Sequence, residues 1–96
     1  MYAAIRYYQT DPDSIEEVAR RAEEGFVPII RDTPGFVSYF VLHAGQGEIG
    51  SVSVFEDQQG AEESNRRAEE WVSENLSDLL PSPNFAAGDV IVYAAR

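Results

Sequence analysis

The chain has 96 residues, of which 44% are hydrophobic and 25% charged, and this size and balance predict one globular domain spanning residues 1–96. Its 17 acidic and seven basic residues give a formal net charge of −10, which disfavours nucleic acid as a partner because such a surface repels phosphates. There is no cysteine for a disulfide or thiolate metal site, no apolar run near the roughly 20 residues of a membrane span and no leader-like start, so we expect a cytoplasmic protein without membrane contact.

The first two predicted elements are a strand and a helix. The stretch YAAIRYYQT at residues 2–10 is rich in aromatic and β-branched residues, which favours a strand that ends at DPD. Asp11 or Asp13 then caps a helix, and Pro28 is expected to disturb its last turn before DTPG ends it. The apolar positions of this helix are spaced by three and four residues, as a helix requires: Ile15, Val18, Ala22, Phe26 and Ile29.

The remaining elements are a hairpin, a second helix and a last strand. FVSYFVLHA from Phe36 and EIGSVSVFED from Glu48 flank the turn AGQG, the second helix runs from about Gln58 to Leu76 or Leu79, and GDVIVYAA from Gly88 is predicted as the fourth strand. The order β-α-β-β-α-β is the ferredoxin-like α+β arrangement. Right-handed crossovers place both helices on one face of a four-stranded antiparallel sheet of order 4-1-3-2.

Two of these strands are apolar on both faces. In the second strand, Phe36, Phe40 and Leu42 alternate with three further apolar residues, Val37, Tyr39 and Val41, and the VIVY of the last strand does the same. The helices can cover only one face of the sheet, and a soluble monomer seldom exposes so much apolar surface. We therefore predict a homodimer formed through the other sheet face.

A near repeat distinguishes the two helices. EEVARRAEE at residues 16–24 returns as EESNRRAEE at residues 62–70, with Ser64 and Asn65 in place of an apolar pair and Trp71 at the position of Gly25. Helical spacing puts Ser64, Trp71 and Asn75 on one flank of the apolar stripe and Asn65 on the other. These polar edges indicate a ligand cavity or, alternatively, a half-exposed helix edge that meets water. In a cavity without fixed partners, the Val and Ala of the first copy would maintain or raise stability.

TPGFVSYFVL, SVSVFED and GAEESNRRAEEW together resemble the antibiotic biosynthesis monooxygenase domains of the dimeric α+β barrel superfamily. The resemblance implies a homodimer whose sheets face each other, with a cavity between helices and sheet in each subunit. Some members are cofactor-independent oxygenases acting on aromatic polyketide or quinol-like substrates, others degrade haem, and many have no known activity. The oxygenases use an Asn and a Trp on the second helix, which makes Asn65 and Trp71 candidates for catalysis. The haem degraders need an axial histidine there, and the sole histidine, His43, lies in the second strand.

The resulting functional prediction is a cofactor-independent monooxygenase for a small phenolic or quinol-like ligand, bound by Ser64, Asn65, Trp71 and Asn75. With one histidine and no cysteine, no metal or other cofactor is expected. The alternative is a non-catalytic homodimer that binds a small ligand or has a structural role. Arg6 lies mid-strand among apolar residues, where an unpaired guanidinium is costly to bury, so it must pair with an acid, reach the edge or meet an anionic ligand.

Overall fold

The computed structural model describes all of residues 1–96 and shows the predicted fold, a four-stranded antiparallel sheet with helices on one face. The strand order is β2-β3-β1-β4, which is the predicted 4-1-3-2 read from the other edge. Strands and helices have the following bounds: β1 Tyr2–Gln9, α1 Ile15–Arg21, α2 Val27–Arg31, β2 Phe36–Gly45, β3 Glu48–Phe55, α3 Gln58–Asn75 and β4 Asn84–Asp89.

The first helical region is continuous but not uniform. A 3-10 turn, Pro12–Ser14, opens it, and the carboxylate of Asp11 caps this turn by accepting a hydrogen bond from the backbone N–H of Asp13 at 2.9 Å. A π-helical turn, Ala22–Phe26, then joins α1 to α2. Pro28 lies in the first turn of α2, where a missing N–H is tolerated, so the helix widens before the proline and continues to Arg31.

Helix α3 begins at a side-chain cap and carries charge pairs on its outer side. The carboxylate of Asp57 accepts a hydrogen bond from the backbone N–H of Gly60 at 2.9 Å, which satisfies a donor of the first turn. On the solvated side, Arg66 donates to both carboxylate oxygens of Glu63, and these hydrogen bonds lower the pKa of Glu63 to about 2. The charges of the near repeat therefore lie on the outside, and the other side of α3 faces the sheet.

A β-bulge at Val37 changes which residues of β2 face the helices. Phe36 pairs with Phe55 and Ser38 with Val54, so Val37 has no partner of its own in β3. Phe36 and Tyr39 consequently both face the helices, although alternation alone places them on opposite sides. The predicted grouping of Phe36 with Phe40 and Leu42 is therefore wrong, because the extra residue reverses the alternation within the strand.

The sheet face away from the helices, which we call the outer face, is largely apolar. Its central row joins Phe40, Val52 and Ile5 across three strands. Phe40 is 59% exposed, and Tyr7 and Leu42 are also more than 40% exposed. Large apolar side chains thus cover the surface that the sequence pattern assigned to a partner.

The fourth strand lies earlier in the chain than predicted. It spans Asn84–Asp89, and the predicted strand from Gly88 overlaps it by two residues. Tyr2 pairs with Asp89 and the backbone N–H of Val90 donates to the carbonyl of Met1, so residues beyond Val90 pass the end of β1 and find no strand to pair with. Residues 91–96 follow the sheet and have no regular secondary structure, and Ile91 is 91% exposed.

The core consists of two clusters between sheet and helices. One contains Tyr8, Val18, Ile49, Leu76 and Leu80, and the other contains Phe26, Ile30, Phe55, Ala61 and Ala68. Trp71 packs against both clusters. A predominantly apolar cavity is lined by residues of both clusters.

Candidate functional site

The cavity lies between the inner face of the sheet and α3. It offers about 60 Å³ of space and is lined by 20 residues, 14 of them hydrophobic. The predominantly apolar wall with a few polar groups is the usual character of a small-molecule site. Its lining includes Arg6, Tyr8, Tyr39, Ser51, Ser53, Ser64, Asn65, Trp71, Val72 and Leu80.

Three of the four residues predicted to bind substrate line this cavity. Ser64 is 4% exposed, and Asn65 and Trp71 are partly buried on the same side of α3. Asn75 is not among the lining residues: it is exposed, and its amide Nδ2 donates to the carbonyl of Trp71 at 2.9 Å within the helix. The polar edge of α3 thus meets the cavity in its first part and solvent at its end.

Arg6 projects from β1 towards α3 and is 8% exposed. Its Nη1 donates to the hydroxyl of Tyr8 at 3.2 Å, and its Nη2 donates to the backbone carbonyl of Asn65 at 3.2 Å and to the side-chain Oδ1 of the same residue. The ring of Phe85 lies beside the guanidinium, with its centroid 5.4 Å from Cζ. The one carboxylate within 4.0 Å is that of Glu69, at 4.0 Å, and its side chain is 68% exposed.

The contact with Arg6 changes the expected role of Asn65. The sequence pattern suggested a polar side chain without a fixed partner, whereas the structure gives Asn65 a charged partner on the opposite strand. A hydrogen bond to a charged group stabilises more than one between neutral groups. The premise that Asn65 has no fixed partner is therefore wrong, and we expect an Ala at this position to lower stability.

Tyr39 contributes a neutral phenol to the same cavity. Burial is the main reason why the pKa of Tyr39 is raised to about 12, the nearby Tyr8 adds to the rise, and the positive charge of Arg6 opposes it. The ring packs edge to face on Phe26 with centroids 5.7 Å apart. At neutral pH the hydroxyl of Tyr39 therefore keeps its proton and can donate a hydrogen bond.

Trp71 forms the wall between the two core clusters by packing on the π turn. A Cβ atom at Gly25 would lie 2.8 Å from Cζ2 of the indole, and the Phe26 ring centroid is 5.6 Å from that of Trp71. The near repeat aligns Gly25 with Trp71, and these two positions meet in the structure. The absence of a side chain at Gly25 is what allows the indole to lie between the clusters.

The structure adds two features that the sequence argument missed. Ser51 and Ser53 line the cavity from β3, on the same face of the sheet as Arg6, and strict alternation along β3 would have identified them. A crevice of about 200 Å³ also adjoins the cavity beside the 81–83 loop. Arg6, Tyr8, Val72 and Leu80 line both spaces, so they form the boundary between the cavity and the surface.

The remaining polar groups do not form a metal site. No group of three or more His, Asp or Glu side chains is close enough to hold an ion. His43 accepts a hydrogen bond from the backbone N–H of Gly47 at 3.4 Å and so belongs to the hairpin turn. None of the helices has the length and apolar character to cross a bilayer.

Two solved oxygenase structures share this fold. A monooxygenase from Streptomyces coelicolor, solved in complex with nanaomycin D, superposes with a TM-score of 0.77 and 20% identity, covering 99% of this chain and 91% of that one. A cofactor-independent oxygenase from Streptomyces nogalater gives a TM-score of 0.73 and 13% identity, with coverage of 99% and 97%. At these identities the likeness concerns the fold alone.

The sequence itself also resembles known proteins. A phosphoenolpyruvate carboxylase from Mycobacterium avium (strain 104) is 30% identical over 69 residues, which are 72% of this chain. The chain spans only 6% of the length of that enzyme, so the match says nothing about carboxylation. Residues 1–74, by contrast, match the family described as antibiotic biosynthesis monooxygenase, and this match covers most of β1 to α3. The chain belongs to the antibiotic biosynthesis monooxygenase family.

Proposed function

We propose that the protein is a cofactor-independent monooxygenase that acts on a small phenolic or quinol-like substrate. The observation that carries this proposal is the Arg6–Asn65 pair, which lines the same predominantly apolar cavity as Trp71. Family membership and the fold shared with a monooxygenase and a cofactor-independent oxygenase support it.

The proposed chemistry begins with loss of the proton from a substrate hydroxyl. The proton passes to water, and the resulting phenolate is electron-rich enough to transfer electrons to molecular oxygen, which serves as the oxidant. One oxygen atom bonds to a ring carbon, which loses its hydrogen as the ring becomes a quinone, and the other oxygen atom leaves as water. Donors placed where the negative charge develops favour this step. Because Arg6 donates to Oδ1 of Asn65, the amide orientation is fixed and Nδ2 is left as a donor, whose present acceptor, Glu69, lies at a long 3.5 Å.

The size of the cavity sets a condition on binding. An apolar cavity of about 150 Å³ is known to hold benzene, whereas this one offers about 60 Å³. A ring therefore needs the wall to move, and the boundary with the crevice, at Val72 and Leu80, is the side where space is available. We expect ring binding to be coupled to displacement of the 81–83 loop.

The small volume also favours a second candidate function. A cavity that holds only a few water molecules suits a homodimer that binds a very small ligand, or has a structural role, without catalysis. In this case the Arg6–Asn65 contact would serve to join the sheet to α3. The two candidates differ in whether the protein consumes oxygen in the presence of a phenolic ligand.

Both candidates include a homodimer formed through the outer face. Support comes from the exposure of Tyr7, Phe40 and Leu42 on one continuous sheet surface. Pairing two outer faces would remove all of this surface from water.

A ligand screen followed by oxygen uptake tests the proposal. Phenol, hydroquinone and their methyl derivatives are screened by thermal shift, and each ligand that raises the melting temperature is assayed with an oxygen electrode. The enzyme is expected to consume oxygen, Asn65→Ala and Trp71→Phe to lose most of that rate, and the exposed Asn75→Ala to retain it. Binding without oxygen uptake would overturn catalysis and leave the second candidate, and binding of no ring would overturn ligand binding as well.

A further inference from the structure

We propose that Arg6 is a specificity-determining residue, which selects ligands that carry an ionised oxygen on an apolar ring. The inference deepens the proposed function and rests on it only in that a ring enters the cavity. It assigns to the site a charge preference, namely for a phenolate or a carboxylate rather than for a neutral phenol or alcohol.

The positive charge of Arg6 has no opposite charge within the cavity. Arg6 is the one charged residue among the 20 that line the cavity, and it is 8% exposed. Burying a guanidinium without a counter-ion is costly, and proteins usually place a carboxylate beside it. This chain has 17 acidic residues, yet the carboxylate nearest to Arg6 lies at the 4.0 Å limit and faces solvent.

The side chains around Arg6 come from β1, α3 and β4. From its own strand comes Tyr8, from α3 come Asn65 and Glu69, and from β4 comes Phe85. The titratable Tyr39 lies on the same cavity wall, on β2, and stays neutral because burial raises its pKa. Apart from the solvated Glu69, Arg6 is therefore surrounded by neutral groups.

Some N–H groups of Arg6 have no hydrogen-bond acceptor in the protein. A guanidinium has five N–H groups, and the hydrogen bonds of Arg6 to Tyr8 and Asn65 use at most three of them. The guanidinium is planar and its N–H groups lie in that plane, so an anion would have to approach the free N–H groups there. A carboxylate or phenolate oxygen is the group that suits such donors.

Arg6 lies at the boundary between the cavity and the crevice. It lines both the apolar cavity and the crevice, so a ligand whose ring lies in the cavity would place its ionised oxygen at the boundary. For a phenol, this means that the O–H bond breaks on binding and the proton leaves to water. For an aromatic acid, the anion exists before binding.

The ionisation of 4-nitrophenol tests the inference, because this phenol titrates near neutrality and absorbs visible light only as the phenolate. A positive charge at contact distance is expected to lower the pKa of the bound phenol by about 1 to 3 units. Benzoate is expected to displace it, and benzyl alcohol, which has a similar ring and no charge, is expected to do so only weakly. Equal displacement by benzoate and benzyl alcohol would overturn the charge preference.

Two charge-changing variants provide the controls. Arg6→Gln is expected to abolish the pKa change of the bound phenol and to weaken benzoate binding at least about tenfold. Arg31→Gln removes an equal charge at an exposed position of α2 and is expected to leave both quantities unchanged. If Arg6→Gln does not fold, Arg6→Lys retains the charge and is expected to retain part of the pKa change. If 4-nitrophenol bound to the wild-type protein with an unchanged or raised pKa, the charge preference would be overturned and the proposed function would remain. If 4-nitrophenol, benzoate and benzyl alcohol all failed to bind, the proposed function would be overturned as well.

Discussion

Among single residues, Arg6 and Asn65 form the polar contact that joins the sheet to α3. Replacing Asn65 by Ala removes the Oδ1 acceptor from a buried guanidinium. We expect the free energy of unfolding to fall by about 1 to 3 kcal/mol, as for the loss of a hydrogen bond to a charged group. Urea denaturation, followed by circular dichroism, measures this change.

Asn75 provides a matched control on the same helix. It is also an asparagine, but it is exposed and bonds only to the backbone of its own helix. Asn75→Ala is expected to change the free energy of unfolding by no more than about 0.5 kcal/mol. Equal losses for the two variants would mean that Arg6 gains nothing from Asn65.

Tyr39 gives the protein a pH dependence in the alkaline range. Burial raises the pKa of Tyr39 to about 12 from an ordinary value of 10.0. The folded protein therefore holds the phenolic proton more tightly than the unfolded chain, so this stabilisation is complete below pH 10 and is lost as the pH rises from about 10 to 12, with a total of up to roughly 3 kcal/mol.

Urea denaturation of wild type and Tyr39→Phe at pH 9, 10 and 11 checks this expectation. The wild-type protein should lose stability more steeply than the variant over this range, because the phenylalanine has no proton to lose. Parallel curves for the two proteins would show that Tyr39 ionises as readily in the folded state as in the unfolded chain.

The sequence could predict part of the site from helical spacing. Ser64, Asn65 and Trp71 line the cavity because they lie next to the apolar stripe of α3, and spacing is visible in a single sequence. The partner of Asn65 is Arg6, 59 positions earlier in the chain. No local pattern connects two such distant residues, so only the folded structure can show that they meet.

At the level of the elements, the contact between the π turn and α3 depends on Gly25. An alanine there would ordinarily stabilise a helix by about 1 kcal/mol, but its Cβ would lie 2.8 Å from the indole of Trp71. We expect Gly25→Ala to lower the free energy of unfolding by about 1 to 3 kcal/mol, as for other overpacked cores. The fluorescence of Trp71, the only tryptophan, should change as well.

Trp71→Phe distinguishes the two effects at Gly25. A smaller ring leaves more space, so adding Gly25→Ala to Trp71→Phe is expected to cost less than adding it to the wild-type protein. The same cost in both backgrounds would mean that the alanine does not act through the indole. Urea denaturation of the four proteins gives the comparison.

The elements differ in how well local sequence predicts them. The hairpin and α3 were predicted because two strand-like stretches flank the turn AGQG, and because helical spacing continues from Gln58 as far as the observed end of α3. The fourth strand was misplaced because VIVY has the composition of a strand, whereas NFAAGD, which pairs with β1, does not. Pairing was decided by the length of β1, since residues beyond Val90 have no neighbouring strand.

At the scale of the whole molecule, the outer face predicts a homodimer. Phe40→Glu places a charge in the middle of the exposed apolar row. Sedimentation velocity at micromolar concentration is expected to show a dimer for the wild-type protein and mainly a monomer for Phe40→Glu. Gln59→Glu adds the same charge at an exposed position of α3, away from the outer face, and this variant should remain dimeric. A wild-type monomer at that concentration would contradict the prediction.

The bulge at Val37 also bears on how the length of β2 can vary. Because Val37 has no partner in β3, this part of the strand contains one residue more than its pairing requires. Deleting Val37 would leave Phe36, Tyr39 and Phe40 on their present faces. A deletion near Val41 would instead force the spare residue into register and exchange the faces of the residues between the two points. Relatives that lack one residue at this strand should therefore have lost it at the bulge and retained the same inward-facing side chains.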